Sequence, residues 1–153
     1  MNRFSARARL GMLLIGLAVS LTALRPAAAQ QNRIALLIGN AAYADAPLKN
    51  PAKDARDMAD VLRQLGFEVS VVTDADRRQI IDAIRAFGQR MTGSSVALFY
   101  YSGHGLQYRG QNYLMPLNAQ IQSETDIEFE MVDVDRLLAE MDAANRRGVN
   151  LVI

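Results

Sequence analysis

His104 is the only histidine in the 153-residue sequence, and it lies between two glycines in the segment SSVALFYYSGHGLQYRG, residues 94–110. Imidazole is the usual general acid or base near neutral pH. Gly103 and Gly105 leave the backbone on either side uncovered, so a second chain or a small ligand could approach His104 closely. These residues predict either a catalytic histidine or a histidine whose ring is bound by a backbone carbonyl in a glycine-rich turn.

A catalytic histidine needs a nucleophile, and the candidates in this sequence are few. The chain has no cysteine. Ser102 lies two residues before His104, a spacing that rarely permits a direct in-line hydrogen bond, and no G-x-S-x-G turn presents a serine. A serine hydrolase that uses Ser102 is therefore the weaker hypothesis.

Metal and phosphate chemistry are poorly supported by the sequence. One histidine and no cysteine leave only carboxylates as metal ligands. The acidic segment ETDIEFE, residues 124–130, lacks the spacing of a calcium loop, which favours a solvated acidic loop. The segment GNAAYA, residues 39–44, is neither a dinucleotide-binding loop nor a Walker loop. We therefore expect no metal ion and no other cofactor.

The first 29 residues differ from the rest of the chain. Three arginines precede an uncharged apolar run, residues 10–24, and three alanines follow it. This order is typical of a cleaved secretory signal, and the run would rise only about 22 Å as a helix, short of a bilayer core of about 30 Å. We expect residues 1–29 to be removed on export to the periplasm or the extracellular space. The alternative is an uncleaved membrane anchor.

The remaining residues, 30–153, are mildly acidic. Residues 1–29 hold four of the 17 basic residues and none of the 16 acidic ones, which leaves 13 basic and 16 acidic groups. A chain without a basic stripe is a poor match for nucleic acid. We expect no nucleic-acid partner and, after signal cleavage, no stable membrane insertion. The sequence does not specify an oligomeric state.

The elements that must position His104 alternate along the chain. Short apolar runs predict strands, and apolar residues at helical spacing predict the helices between them, the first with Asn50 as its cap and Pro51 in its first turn. An alternating segment around Arg109 and Gly110 predicts a hairpin. The predicted strands are 33–40, 67–73, 96–102 and 149–153, the helices are 50–66, 74–91 and 133–145, and the hairpin is 106–116.

Strands that are joined by helices pair in parallel through right-handed crossovers. We therefore predict an α/β fold in which helices cover both faces of a mostly parallel sheet. Ligands bind beyond the carboxyl ends of the strands in such sheets, so loops 39–50, 73–75 and 102–106 are expected at one edge. Residues 30–153 are expected to form a single domain that stops after the start of its fourth strand.

The sequence contains four segments whose order and spacing are informative: RIALLIGNAAY at 33–43, LKNPAKDARDMADVLRQLGFEV at 48–69, ALFYYSGHGLQYRGQNYLMP at 97–116 and NLVI at 150–153. Together they resemble the caspase-like cysteine peptidases, in particular bacterial members close to metacaspases. SGHG alone is a weak motif, but the four segments in this order and spacing are specific. The resemblance implies a caspase-like three-layer α/β/α domain and a cysteine endopeptidase that acts on polypeptides.

The resemblance also implies roles for three residues. His104 would activate a cysteine thiol, and the N–H of Gly105 would help to bind the tetrahedral oxyanion. Asp54 matches an acidic residue that binds the basic side chain of the substrate, which implies cleavage after Arg or Lys. The alternative for Asp54 is an ordinary acid in the first turn of a helix, stabilised by the helix dipole.

The absent nucleophile is the main departure from the family pattern. The family cysteine follows a strand like NLVI in a D-x-C arrangement, about 50 residues after the histidine, which places it just beyond Ile153. We therefore expect the chain to be incomplete at its C-terminus and, without a cysteine, inactive as a peptidase. We also expect it to be poorly soluble, because part of an apolar sheet is uncovered. The alternative is a non-catalytic pseudo-peptidase that holds peptides or a protein partner.

Overall fold

The structure is a computed structural model that describes residues 32–153. The predicted signal, residues 1–29, lies outside the described residues. No helix in the described range is long and apolar enough to cross a membrane. The elements follow in the order β1 (Arg33–Gly39), α1 (Pro51–Gln64), β2 (Phe67–Thr73), α2 (Arg77–Met91), β3 (Val96–Ser102), β4 (Gly105–Tyr108), β5 (Gln111–Leu114), α3 (Ile127–Glu130), β6 (Val132–Asp133), α4 (Val134–Ala144) and β7 (Val149–Val152).

The central sheet has four parallel strands in the order β2-β1-β3-β7. β1 is buried along nearly its whole length, as its unbroken apolar sequence predicts for a strand with both faces covered. Gly39 at the end of β1 pairs with Thr73 of β2 and with Ser102 of β3. The three strands therefore end level, and the loops that follow them meet at one edge of the sheet.

Helix α1 covers one face of the sheet. Its buried residues Ala55, Ala59 and Leu62 recur at helical spacing and pack on the odd-numbered side chains of β1. Pro51 is tolerated in the first turn because its missing N–H would have no partner there. Asn50 occupies the cap position as predicted, but its side chain makes no capping hydrogen bond; its carbonyl oxygen accepts from the backbone N–H of Asp54 at 2.8 Å.

Helices α2 and α4 cover the opposite face. Apolar residues of both helices pack on the even-numbered side chains of β1, and this cluster is the larger part of the core. Helices thus lie on both faces of the sheet, which confirms the predicted three-layer α/β/α architecture. The cluster includes Ile34, Leu36, Ile38, Ile80, Ile84, Phe87, Leu137 and Met141.

Helix α2 begins later than the sequence indicates. The sequence predicts its start at Asp74, but Asp76 is the cap: the Gln79 N–H donates to Asp76 Oδ1 at 2.8 Å, and the Asp76 N–H donates to Gln79 Oε1 at 2.9 Å. This reciprocal pair is a capping box. Asp74 instead has a positive φ of 53° and lies in the turn that follows β2.

The hairpin is confirmed, and a short third strand extends it. β4 and β5 are antiparallel and are joined at Arg109 and Gly110, whose φ angles of 50° and 82° suit a tight two-residue turn. β6 pairs with the other side of β5. The prediction of a solvated loop at 124–130 is wrong in part, because this segment forms a 3-10 turn and α3. Its residue Ile127 is 6% exposed and packs against the hairpin.

Candidate active site

His104 lies in the short connection between β3 and β4, just beyond the carboxyl end of β3. Its half-buried ring faces the loop that follows β1, where His104 Nε2 is 2.7 Å from the carbonyl oxygen of Ala46. The first and third of the predicted edge loops are therefore in direct contact through the histidine side chain.

The Ala46 contact determines which ring nitrogen is available for chemistry. A carbonyl oxygen only accepts hydrogen bonds, so Nε2 carries the proton. The neutral imidazole then has an unprotonated Nδ1, and no hydrogen bond within residues 32–153 engages this atom. Nδ1 can thus accept a proton from a nearby group, which is the role of a general base. The sequence offers two alternatives for His104, a catalytic ring and a ring bound by a backbone carbonyl. In this geometry the same imidazole can be both.

Asn40 joins three loops at this edge and was not identified from the sequence. Its side chain has no exposure. Asn40 Nδ2 donates to the carbonyl oxygen of Ala75 at 3.0 Å, and the Ala75 N–H donates to Asn40 Oδ1 at 2.8 Å. The N–H of Asn40 donates to the Ser102 carbonyl at 2.9 Å. A polar residue directly after a fully apolar strand was the available signal, because buried amides need partners.

Asp74 fixes the start of the loop that carries Ala46. Its Oδ1 accepts from the backbone N–H groups of Ala41 at 2.8 Å and Ala42 at 3.0 Å, and its own N–H donates to the Gly39 carbonyl at 3.0 Å. The left-handed backbone of Asp74 is uncommon for a residue other than glycine, but aspartate adopts it more readily than most. The loop after β2 therefore supports the loop after β1.

Two tyrosine hydroxyls lie beside the main chain of His104. The Oη atoms of Tyr43 and Tyr101 are 3.1 Å apart, and each lies 2.9 Å from the Met115 carbonyl oxygen. Burial, and to a lesser extent the neighbouring Tyr43 hydroxyl, raise the pKa of Tyr101 above its usual range. The sequence places Tyr101 in a predicted strand and Tyr43 in loop 39–50 but singles out neither residue, because the partners of their hydroxyls come from distant parts of the chain.

The two glycines that flank His104 have different surroundings. A Cβ on Gly103 would lie 2.6 Å from Tyr101 Oη and 2.8 Å from Tyr43 Oη, so this position is closed to a ligand and occupied by the hydroxyls. Gly105 is exposed and begins β4, and a Cβ there would lie 2.9 Å from the Tyr113 carbonyl oxygen. The oxyanion role of Gly105 stays a prediction.

Asp54 is exposed in the first turn of α1, and no side-chain hydrogen bond or ion pair of Asp54 occurs among residues 32–153. α1 follows the loop that holds His104, but the structure does not bring Asp54 into hydrogen-bond contact with His104. Its specificity role also stays a prediction. The imidazole makes no hydrogen bond with Ser102 either, which leaves the serine hypothesis without support in the described part of the chain.

Residues 32–153 hold no cluster of metal-ligating side chains, and they form a cavity remote from His104. No group of three or more His, Cys, Asp or Glu side chains there could hold a metal ion. A cavity of about 480 Å³ opens between α2, α4 and the hairpin, away from His104. Its apolar floor includes Met131 and Leu137, and its rim carries arginines and carboxylates in equal number.

Comparisons with known proteins identify a peptidase domain in this chain. The caspase domain of peptidase family C14 matches residues 32–152. The mouse protein named mucosa-associated lymphoid tissue lymphoma translocation protein 1 homolog is 33% identical over 90 residues, which are 58% of this chain and 11% of that protein. The human protein of the same name matches with the same identity and coverage. The matched region is thus a small part of these relatives.

The fold also has a solved counterpart. A crystal structure of a protein from Geobacter sulfurreducens superposes with a TM-score of 0.61, covering 79% of this chain and 48% of that one. The two sequences are 22% identical, so the likeness concerns the fold alone.

Proposed function

The chain belongs to the caspase domain family of peptidases, and on this premise we propose that the complete protein is a cysteine endopeptidase in which His104 activates a cysteine that follows residue 153. The observation that carries the proposal is the Nε2 contact with the Ala46 carbonyl at 2.7 Å. It supports an imidazole whose free Nδ1 is at the edge of the sheet where β3 ends, and β7 runs parallel to β3 toward the same edge.

The proposed reaction uses His104 as base and then as acid. Nδ1 takes the proton of the cysteine thiol, and the thiolate attacks the carbonyl carbon of the scissile peptide bond. The imidazolium returns that proton to the leaving amine as the C–N bond breaks, and water then hydrolyses the thioester. The N–H of Gly105 would stabilise the tetrahedral oxyanion, a contact worth on the order of 3 kcal/mol.

Asp54 is proposed to select a basic residue at the cleaved bond. Its carboxylate is exposed, and it is not engaged by a side-chain hydrogen bond or an ion pair of the described residues. A free carboxylate can pair with a guanidinium or ammonium group through charge-assisted hydrogen bonds. Cleavage after Arg or Lys is therefore the proposed specificity, and a polypeptide is the proposed substrate.

Export is proposed for the protein as a whole, with residues 1–29 as its signal. The support is the sequence order of arginines, apolar run and alanines. Amino-terminal sequencing of the protein secreted by a bacterial host would detect a new terminus near Gln30; an intact Met1 in the membrane fraction would contradict cleavage.

A non-catalytic peptide-binding module is the second candidate. The specific observation in its favour is the absence of cysteine from all 153 residues. In such a module, Asp54 would bind the peptide, and His104 would only stabilise the loop after β1.

Peptide cleavage by the complete protein separates the two candidates. We expect hydrolysis of peptides with Arg or Lys at the cleaved bond and none with Asp there. His104→Ala should lower kcat by about 10²–10⁴-fold, the usual contribution of acid–base catalysis. Asp54→Asn should weaken the preference for basic residues, whereas Asp57→Asn, an exposed acid on the same helix that pairs with Lys53, should not.

Two results would overturn parts of the proposal. Cleavage after Asp would contradict the role of Asp54 while leaving the peptidase assignment intact. Binding of an Arg-containing peptide, measured by fluorescence anisotropy, without any cleavage would favour the non-catalytic module.

A further inference from the structure

Two tyrosines that sequence reasoning did not single out hold both backbone groups of His104. The His104 N–H donates to Tyr43 Oη at 3.1 Å, and the His104 carbonyl oxygen accepts from Tyr101 Oη at 2.9 Å. The N–H of Met115 donates to the same carbonyl at 2.9 Å. The imidazole is therefore carried by a residue whose backbone is fixed on both sides.

The two tyrosine hydroxyls form different hydrogen bonds, because each has only one proton to donate. Each hydroxyl has one proton, while the nearby acceptors include the carbonyl oxygens of His104 and Met115. Both carbonyls are served by the hydroxyls only when Tyr101 donates to His104 and Tyr43 donates to Met115, each at 2.9 Å. Tyr43 is then the acceptor for the His104 N–H, and no other described group takes that role.

The ring of Tyr43 also supports the imidazole directly. Its centroid is 4.6 Å from that of the His104 ring, with an angle of 54° between the planes. Tyr43 is 6% exposed, so its ring is held by the surrounding core. Tyr43 and Ala46 belong to the same loop, which thus touches His104 at the backbone N–H, at the ring face and at Nε2.

Gly103 makes this arrangement possible. A Cβ at this position would lie 2.6 Å from Tyr101 Oη and 2.8 Å from Tyr43 Oη. Real Cβ atoms do not approach hydroxyl oxygens so closely, and a side chain here would displace two hydroxyls that are hydrogen-bonded to main-chain carbonyls. The first glycine of SGHG therefore leaves space for the tyrosine hydroxyls.

We propose that Tyr43 and Tyr101 are positioning residues that hold His104 with Nε2 on the Ala46 carbonyl and Nδ1 toward the nucleophile, with Tyr43 as the dominant member. The inference deepens the proposed function, since the imidazole being positioned is the one assigned there to catalysis. Neither tyrosine hydroxyl makes a hydrogen bond with the imidazole. Their effect on the reaction passes through the orientation of the His104 ring.

The single histidine of the sequence offers a direct test by NMR on the full 153-residue chain with 15N-labelled histidine. In mildly alkaline buffer the His104 ring should show an Hε2 proton that exchanges slowly with water because Ala46 accepts it. Tyr43→Phe keeps the aromatic ring but removes the hydroxyl, and we expect loss of the Hε2 resonance. Tyr101→Phe should keep the resonance with several-fold faster exchange, because the Met115 N–H still holds the carbonyl.

Tyr108→Phe is the matched control. The Tyr108 hydroxyl lies in the hairpin, 3.4 Å from Glu124 Oε2, and has no contact with His104. The control should keep the wild-type resonance and exchange rate. Should Tyr43→Phe fail to fold, as judged by circular dichroism, Tyr101→Phe carries the test alone.

The result that overturns the inference is a folded Tyr43→Phe or Tyr101→Phe chain whose Hε2 exchange equals that of the wild type. This outcome is independent of peptidase activity. If the complete protein cleaves peptides, Tyr43→Phe should lower kcat by about tenfold or more with an unchanged KM, as expected for a misplaced catalytic group. If the complete protein does not cleave, the proposed function fails, while the NMR result still decides the positioning role.

Discussion

The Nε2 atom of His104 lies 2.7 Å from the carbonyl oxygen of Ala46, a residue 58 positions earlier in the chain. Ala46 precedes Pro47, and a residue before proline is restricted to extended backbone, which restricts the direction of its carbonyl. Pro47 itself is exposed. We therefore expect the proline to help aim the acceptor that holds the histidine ring.

Pro47→Ala is the first prediction to follow from this geometry. The substitution frees the Ala46 carbonyl to turn without removing any buried contact. We expect kcat of the complete protein to fall roughly fivefold, which corresponds to about 1 kcal/mol of lost orientation, at an unchanged KM. Lys49→Ala, an exposed change in the same loop, serves as the control, and an unaltered kcat in Pro47→Ala would show that the proline has no such role.

Gly103→Ala should destabilise the domain, whereas Gly88→Ala should stabilise it. The new methyl group at position 103 overlaps two tyrosine hydroxyls, and we expect a loss of about 1–3 kcal/mol in the free energy of unfolding. Gly88 lies inside α2 with no atom within 4 Å of an added Cβ, and alanine there should gain about 0.5–1 kcal/mol. Urea unfolding measures both, and equal effects at the two sites would contradict the overlap at Gly103.

Asn40→Ala should be among the most costly single changes at the edge of the sheet. It leaves the N–H of Ala75 without a partner in a position that has no exposure, while the Ala75 carbonyl keeps the Leu117 N–H at 3.1 Å. We expect a loss of about 1–3 kcal/mol, the cost of one unsatisfied buried donor. Asn112→Ala removes an exposed amide whose bond to Gln107 measures 3.5 Å, so it should cost little. A small effect at Asn40 would mean that solvent reaches Ala75.

Alkaline pH should destabilise the protein through Tyr101. Burial raises the pKa of this phenol above the ordinary value of about 10, so both states are protonated below that pH. Above it, the unfolded chain releases a proton that the folded chain retains, and the free energy of unfolding falls as pH rises. Tyr101→Phe should lessen this slope by up to about 1.4 kcal/mol per pH unit. Identical slopes in urea titrations above pH 10 would refute the assignment.

Strand β7 should promote association of the 153-residue chain. It pairs only with β3 among the described strands, and Val149 and Leu151 are 55% and 41% exposed. Exposed apolar edge strands are sites of aggregation. Leu151→Lys should raise the fraction of monomer in analytical ultracentrifugation, while Val61→Lys, a 52% exposed position on α1, should not. A sharp, cooperative melt of a monomeric wild-type chain would contradict this prediction.

The sequence predicted the architecture because the signals were local. The apolar run at Ile34 to Ile38 and the helical spacing of Ala55, Ala59 and Leu62 each describe one element. The parallel arrangement then required the loops after β1, β2 and β3 to share an edge, which placed His104 correctly.

The contacts that hold His104 were not predictable in the same way. The Ala46 carbonyl belongs to a loop without periodicity, and its direction depends on the folded path of that loop. Tyr43 and Tyr101 resemble ordinary core aromatics until the partners of their hydroxyls are known. Asp74 was interpreted as the start of a helix, because a positive φ at a non-glycine residue leaves no mark in the sequence.

The order β2-β1-β3-β7 has a consequence for synthesis on the ribosome. β2 joins one side of β1, β3 joins the other side, and β7 joins the free edge of β3, so no strand must insert between two that are already paired. The sheet can grow outward in the order in which the chain emerges, as expected for domains that begin to fold from the N-terminus. The loop that holds Ala46 and the strand that leads to His104 would therefore already be adjacent before α4 and β7 are made.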